Sequence, residues 1–403
     1  MQKRLTQPHN NGTRRSILIG IVIGLGVGLV FAGGFFARDL LASVSPSLAT
    51  VGTGGDYVLL NEVQALIERE YLREQPNFVQ RQYAAIRGML LSLNDAYTFF
   101  IDPPVAATES QTLAGTYGGI GVQLQRAADG AWVLYPFPDS PAASAGIING
   151  DTLRAINGEL IDNTMTQDAI EQQLRGEVRD SSGVEITVTK ADNGDEQTVF
   201  IEFAVINVPS ATWRVLAENP LIGYLQVIRF TSRTPDEVTM AIAELRAAGI
   251  EQLVLDLRNN SGGLLDESIV VADEFLNDGV IVYERDNQNE TAYTAQVGGS
   301  AADLPLIVLV NDRTASGAEL VAGAIQDNDR AILIGQRTFG KGTVQRIYQL
   351  SDGSSLHVTS AEWLTPDRQA LNANGLQPEI AMIPDPEGRD IELEEAIRTF
   401  GSS

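Results

Sequence analysis

The period of the apolar positions shifts along this chain, and each shift marks a different kind of element. Residues Ser16 to Ala37, SILIGIVIGLGVGLVFAGGFFA, carry no charge. As a helix rising about 1.5 Å per residue they would cross a hydrocarbon core of roughly 30 Å. From Val58 to Leu93 apolar residues recur at helical spacing, first Val63, Leu66 and Ile67, then Tyr83, Ile86 and Leu90. That spacing predicts two or three helices, stopped by the paired Pro103 and Pro104. Between about Gly115 and Ile206 the runs become short and strand-like, separated by Gly, Pro, Asn and Asp turns, with TQDAIEQQL as a helix candidate. This predicts a compact β-rich module. From Pro220 onward strand-like and helix-like stretches alternate: IGYLQVIRF, PDEVTMAIAELRAAG, QLVLDLR, LLDESIVVADEFL, LPLIVLV, AELVAGAIQD and RAILIGQ. Such alternation predicts an α/β domain on a mostly parallel sheet. The boundaries that follow are 1–15 (cytoplasmic tail), 16–37 (transmembrane helix or signal anchor), 38–55 (linker), 56–114 (helical), 115–206 (β-rich), 207–383 (α/β) and 384–403 (C-terminal segment).

Charge gives the first segment a direction. Lys3, Arg4, Arg14 and Arg15 precede the uncharged span and Arg38 and Asp39 follow it. The positive-inside rule then keeps the N-terminus cytoplasmic and exports the rest, a single-pass membrane protein with an extracytoplasmic body. Cleavage as a signal peptide near Ala42-Ser43-Val44-Ser45 is the alternative, although the span exceeds the usual h-region. With 52 acidic against 28 basic residues the net charge is −24. Phosphate backbones need a concentrated basic surface, so no nucleic-acid partner is expected. There is no cysteine, which excludes disulfides, thiol nucleophiles and cysteine-based zinc sites. Of the two histidines, His9 precedes the span and only His357 reaches the body. The alternating SSLHVTSAEW reads as a strand on which His357 is structural.

Nucleophilic chemistry must therefore come from other side chains. Ser316 in RTASGAEL stands three residues before Glu319, the spacing of a helix capping box, and reads either as a cap or as a nucleophile. In LVLDLRNNSGGLLDESI an apolar strand runs into Gly262-Gly263, a turn whose backbone N–H groups can face a developing oxyanion. In RTFGKGTVQRIYQL, Lys341 reads as a solvated lysine or as the base for Ser316. A regular strand would put Lys341, Thr343 and Gln345 on one face, letting Gln345 orient the amine. No metal or organic cofactor is required.

The stretches YGGIGVQL and SPAASAGIINGDTLRAINGELI resemble a PDZ domain. In that reading Gly118, Gly119 and Gly121 turn N–H groups toward a peptide carboxylate while Ile120 and Val122 line an apolar pocket. Its ligand would be the C-terminus of a polypeptide with apolar last residues. The whole series, with LDLRNNSGGLLDE, VNDRTASGAELVAGAIQD, TFGKGTVQ and LSDGSSLHVTSAEWLTPDRQ, resembles the carboxyl-terminal processing, or tail-specific, serine proteases over about Asn61 to Ile383. The resemblance implies a crotonase-like β/α protease core. It also implies Ser316 as nucleophile, Lys341 as base, Gln345 as its partner, an oxyanion hole from Gly262 or Gly263 with Gly317, and Arg175 as a relay from the PDZ domain. RTAS, NNSGG and DAYTFF depart from the usual runs, and the last leaves local contacts open. Membrane attachment through the N-terminal span, protein or peptide substrates, and homo-oligomerisation are compatible with it. A catalytically silent, membrane-tethered PDZ scaffold is the alternative.

Overall fold

The computed structural model describes residues 57–127, 130–162, 164–372 and 374–401. The span 16–37 lies outside them. Among the described residues no helix is long and apolar enough to cross a membrane.

Two compact units divide after Gln80. In the first, the described residues form helix α1 (Val58–Glu70), none of whose side chains is buried, and the opening of α2 (Phe78–Leu91). The second begins within α2 and continues through β1 (Phe99–Ile101) and α3 (Pro103–Leu113). The paired prolines open α3 rather than ending the preceding helix. Proline is tolerated in a first helical turn because the N–H it lacks would have no intrahelical partner.

The β-rich module follows as β2 (Thr116–Gly119), β3 (Val122–Arg126), β4 (Trp132–Pro136), α4 (Pro141–Ser144), β5 (Asp151–Ile156), β6 (Glu159–Leu160), α5 (Gln167–Gln173), β7 (Gly183–Thr189), β8 (Glu196–Glu202) and β9 (Ala204–Asn207). Its main sheet runs β3-β4-β5-β7-β8, antiparallel, while β2 pairs with β9. Alternate residues of β7, Val184, Ile186 and Val188, enter a core with Ile120, Leu134 and Ile170.

The α/β domain holds β10 (Ala211–Val215), β11 (Ile222–Val227), α6 (Thr234–Ala247), β12 (Gln252–Asp256), α7 (Leu265–Asp273), β13 (Val280–Arg285), β14 (Glu290–Thr294), β15 (Leu306–Val310), α8 (Gly317–Asp327), β16 (Ile332–Gly335), β17 (Thr343–Gln349), β18 (Ser355–Leu364), β19 (Ile380–Ala381) and α9 (Ile391–Phe400). One sheet runs β10-β11-β12-β15-β16-β19, parallel except for β10. Side-chain alternation splits its central strands between two layers. Leu253, Leu255, Leu306, Val308 and Val310 face one core with α6, α7 and α8, and Val254, Ile307 and Leu309 face another with Ala396 of α9. Burial on both faces is why these strands read as unbroken apolar runs. A second sheet joins β1, β18, β13 and β14, with β17 on β18.

Candidate active site

Three parallel strands end side by side, and their following turns are tied to one another. After β12 the polypeptide turns through Asn260, which is fully buried. Its amide donates to Val227 O at the end of β11 (2.9 Å), its Oδ1 accepts from Gly262 N (2.8 Å), and its carbonyl accepts from Ala315 N (2.9 Å). Thr314 Oγ1 donates back to Leu257 O at 2.8 Å. The turn after β15 is thereby held against the glycine turn after β12. The fit demands glycine: a Cβ at Gly262 would lie 2.8 Å from Ser316 Cβ, and one at Gly263 would lie 1.9 Å from Phe230 O. Both residues also have positive φ, 92° and 150°.

Ser316 sits at the N-cap of α8 with φ 55° and ψ −121°, a strained backbone for a residue with a Cβ. Nine successive residues of α8, Gly317 to Ile325, are buried. Of the capping-box pair the carboxylate half is the well-formed hydrogen bond, Ser316 N donating to Glu319 Oε2 at 2.9 Å, whereas the hydroxyl stands close to the helix end without a cap hydrogen bond of its own. Glu319 does more than cap. Fully buried, it also accepts from Lys341 N (2.9 Å), Gly340 N (2.7 Å) and Thr338 Oγ1 (2.5 Å). One carboxylate thus ties the Ser316 turn to the Lys341 loop. The Ser-x-x-Glu spacing was visible in the sequence, but the second set of donors is a tertiary contact.

Lys341 Nζ makes no hydrogen bond or ion pair among the described residues and lies 5.1 Å from the centre of the Tyr97 ring. Burial pushes its pKa below the ordinary lysine value. Tyr97 is held there by the DAYT turn, in which Asp95 accepts from Tyr97 N (2.9 Å) and Thr98 Oγ1 (2.6 Å). Those are the contacts the unusual DAYTFF run left open. The expected partnership of Gln345 with Lys341 is not formed. The register shift between Val344 and Gln345 is an extra residue on β18, where Ser360 is passed over, so Thr343 and Gln345 keep to one face of β17 and line the cavity together with Lys341, which precedes the strand. Gln345 Nε2 donates instead to Thr343 Oγ1 at 2.8 Å.

Ser316, Gly317, Gly263, Lys341 and Gln345 all line one cavity of about 240 Å³. Gly262 does not: its N–H is given to Asn260, which removes it from the expected oxyanion set and leaves Gly263 and Gly317. His357 lines the same cavity, which its structural reading did not anticipate. It is stacked on Phe99 at 4.4 Å, with Nε2 2.8 Å from Glu109 Oε2.

The expected carboxylate loop is closed. Gly118 and Gly119 pair with Val205 and Ala204 on one side, and Gly118 O accepts from Gly176 N on the other. Ile120, only 1% exposed, is a core residue rather than a pocket wall, and its N–H is donated to Leu174 O at 3.3 Å. Val122 packs against the same core. Gly121 has a positive φ of 73°, and a Cβ there would also approach Ser140 Cβ at 2.6 Å. Arg175 bridges to Gly119, pairs with Glu171 at 3.0 Å and lies over the Tyr117 ring.

Residues 221–382, which carry these three turns, match the family model for peptidase family S41. A carboxy-terminal-processing protease of Bartonella bacilliformis is 34% identical over 384 residues, covering 91% of this chain and 86% of that protein. The chain belongs to the carboxyl-terminal processing serine proteases of family S41. A carboxyl-terminal-processing protease of Picosynechococcus sp. is 33% identical over 80% of this chain and 78% of its own length. A solved structure from Bacteroides fragilis, described as that of an S41 protease, aligns with a TM-score of 0.50 at 19% identity over 85% of this chain and 97% of that one. This last likeness concerns the fold alone. As an S41 peptidase the chain is a serine-type endopeptidase, which sets aside the silent-scaffold alternative.

Proposed function

We propose that this S41 peptidase cuts polypeptides near their C-termini, with Ser316 as nucleophile and Lys341 as general base. The observation that carries the reading is a strained serine sharing a cavity with a lysine that has no counter-ion among the described residues and a lowered pKa. The neutral amine takes the hydroxyl proton as Oγ attacks the scissile carbonyl. The N–H groups of Gly263 and Gly317 donate to the oxyanion, helped by the positive end of the α8 dipole. The ammonium then protonates the departing amine, leaving an acyl-enzyme that water hydrolyses by the same proton route. The test is loss of hydrolysis in Ser316→Ala with the fold and peptide binding retained.

The module at 115–206 is read as a PDZ domain that captures the substrate's tail. Its motif spacing and its sheet with helix α5 support this. Because Ile120 N and Gly118 O are occupied, capture requires the Leu174–Gly176 segment to swing away and release them. A free carboxylate and an apolar last residue are what the freed N–H groups and the uncovered apolar surface would take. Amidating a long substrate's C-terminus should therefore lower kcat/KM by about tenfold or more, in the range of a lost charged hydrogen bond. Equal cleavage of acid and amide forms would end the capture reading.

Residues 16–37 are read as an uncleaved anchor that holds the catalytic body outside the cytoplasm. The full-length protein should fractionate with membranes and be digested by protease added to cells without an outer barrier. A soluble, N-terminally trimmed form would show a cleaved signal instead.

A further inference from the structure

Arg229 follows β11 and stands beside the glycine turn. Its backbone is fixed: its carbonyl accepts from Thr234 Oγ1 at 3.0 Å, and the next residue, Phe230, donates to Gly262 O at 3.0 Å. Its side chain lines the cavity that holds Ser316, Gly317 and Gly263. The guanidinium makes no ion pair or hydrogen bond among the described residues, and Nε is buried without a partner. Buried polar atoms are normally satisfied, and an unpaired cation between apolar walls is costly. Arg229 is half-buried with Nε enclosed, and the cavity it lines carries Phe99, Leu113, Leu265, Val344, Ile347 and Trp363 among its walls. The cavity's own carboxylate, Glu109, is committed to His357. In a protein with 52 acidic residues an ion-pair partner was not scarce, yet among the described residues none reaches this arginine.

We propose that Arg229 is a specificity residue that binds a carboxylate of the substrate close to the scissile bond. The inference rests on the proteolytic reading above. A guanidinium offers a planar fork of donors that matches a carboxylate bidentately, and a carboxylate is the anion that an unmodified polypeptide brings to such a site. Two sources present it: an Asp or Glu side chain flanking the cleaved bond, or the terminal carboxylate of a tail cut within a few residues of its end. Either would satisfy the donors that the folded protein leaves open.

The experiment uses the full-length protein and one peptide sequence in three forms: a neutral reference with Gln beside the scissile bond and an amidated end, the same peptide with Glu for Gln, and the same peptide with a free-acid end. The quantity read is the ratio of kcat/KM for each acidic form over the neutral one, so a general loss of activity in a variant cancels. With wild-type protein the preferred acidic form should exceed the reference by about tenfold to a hundredfold, the range for charged hydrogen bonds. Arg229→Gln should bring that ratio to about one, and Arg229→Glu should push it below one, because the new carboxylate repels the acidic form. Loss in the Glu arm identifies an acidic residue beside the bond, and loss in the free-acid arm a terminal carboxylate. Ratios that Arg229→Gln and Arg229→Glu leave unchanged in both arms overturn the assignment, and a free-acid preference that persists then belongs to the 115–206 module. Failure of the wild-type protein to cleave any of the three removes the proteolytic reading and this assignment with it.

Discussion

Ser316→Ala should abolish hydrolysis, lowering kcat by roughly 10⁴-fold or more, while the protein melts within a few degrees of the parent and still binds tail peptides. Two observations separate this outcome from that of a helix cap. The hydroxyl stands at the capping-box position without a cap hydrogen bond of full geometry, so its removal takes from α8 at most the roughly 1 kcal/mol of a functioning serine cap. The strained φ of 55° is a property of the backbone turn and stays with alanine. Lys341→Ala should copy the loss, because a nucleophile and its base act as a unit and their effects do not add. The base must be neutral to work. Burial lowers its pKa from the ordinary 10.5, so the wild-type rate should climb with pH and reach half its maximum below 10.5, and the rate should fall as the amine protonates. Turnover, melting temperature and peptide affinity measured on both variants decide the matter. An active, folded Ser316→Ala protein would sink the mechanism.

The parts of this site that could be read from sequence are those fixed by local chemistry. LPLIVLV and QLVLDL announce strands covered on both faces, because no position along them can face water. Gly262 and Gly263 announce a turn whose neighbours leave no room for a Cβ. Ser316 and Glu319 announce a helix start. What could not be read depends on which distant backbone groups arrive. Gln345 was expected to orient the Lys341 amine; it shares the cavity with Lys341, but its amide is given to the Thr343 hydroxyl, a side-chain choice that strand periodicity does not fix. Ile120 and its neighbours carry a peptide-binding motif, but only the folded protein shows their polar groups taken up by Leu174 and Gly176. Arg229 had no sequence signal, since an arginine after a strand is ordinary until the one acid in its cavity proves to be paired with His357.

Glu319→Gln should separate positioning from chemistry, because it keeps the shape of the side chain and changes only what it can accept. Four donors converge on the two carboxylate oxygens, Ser316 N and Lys341 N on Oε2 and Gly340 N and Thr338 Oγ1 on Oε1. A glutamine offers one oxygen, and its NH₂ must face two of these donors. Leaving two buried donors unpaired costs about 1–3 kcal/mol each, so stability should fall by about 2–6 kcal/mol. The larger effect falls on rate. With the Ser316 turn and the Lys341 loop no longer tied to a common group, the hydroxyl and amine lose their fixed separation, and a misplacement of about 1 Å is enough to cost a hundredfold. We therefore expect kcat to drop by about 10² to 10³ at little-changed KM, measured at a temperature where the variant remains folded. A merely structural Glu319 would instead lower the melting temperature and leave kcat per folded molecule near wild type, and that result would show that serine and lysine are held together by other means.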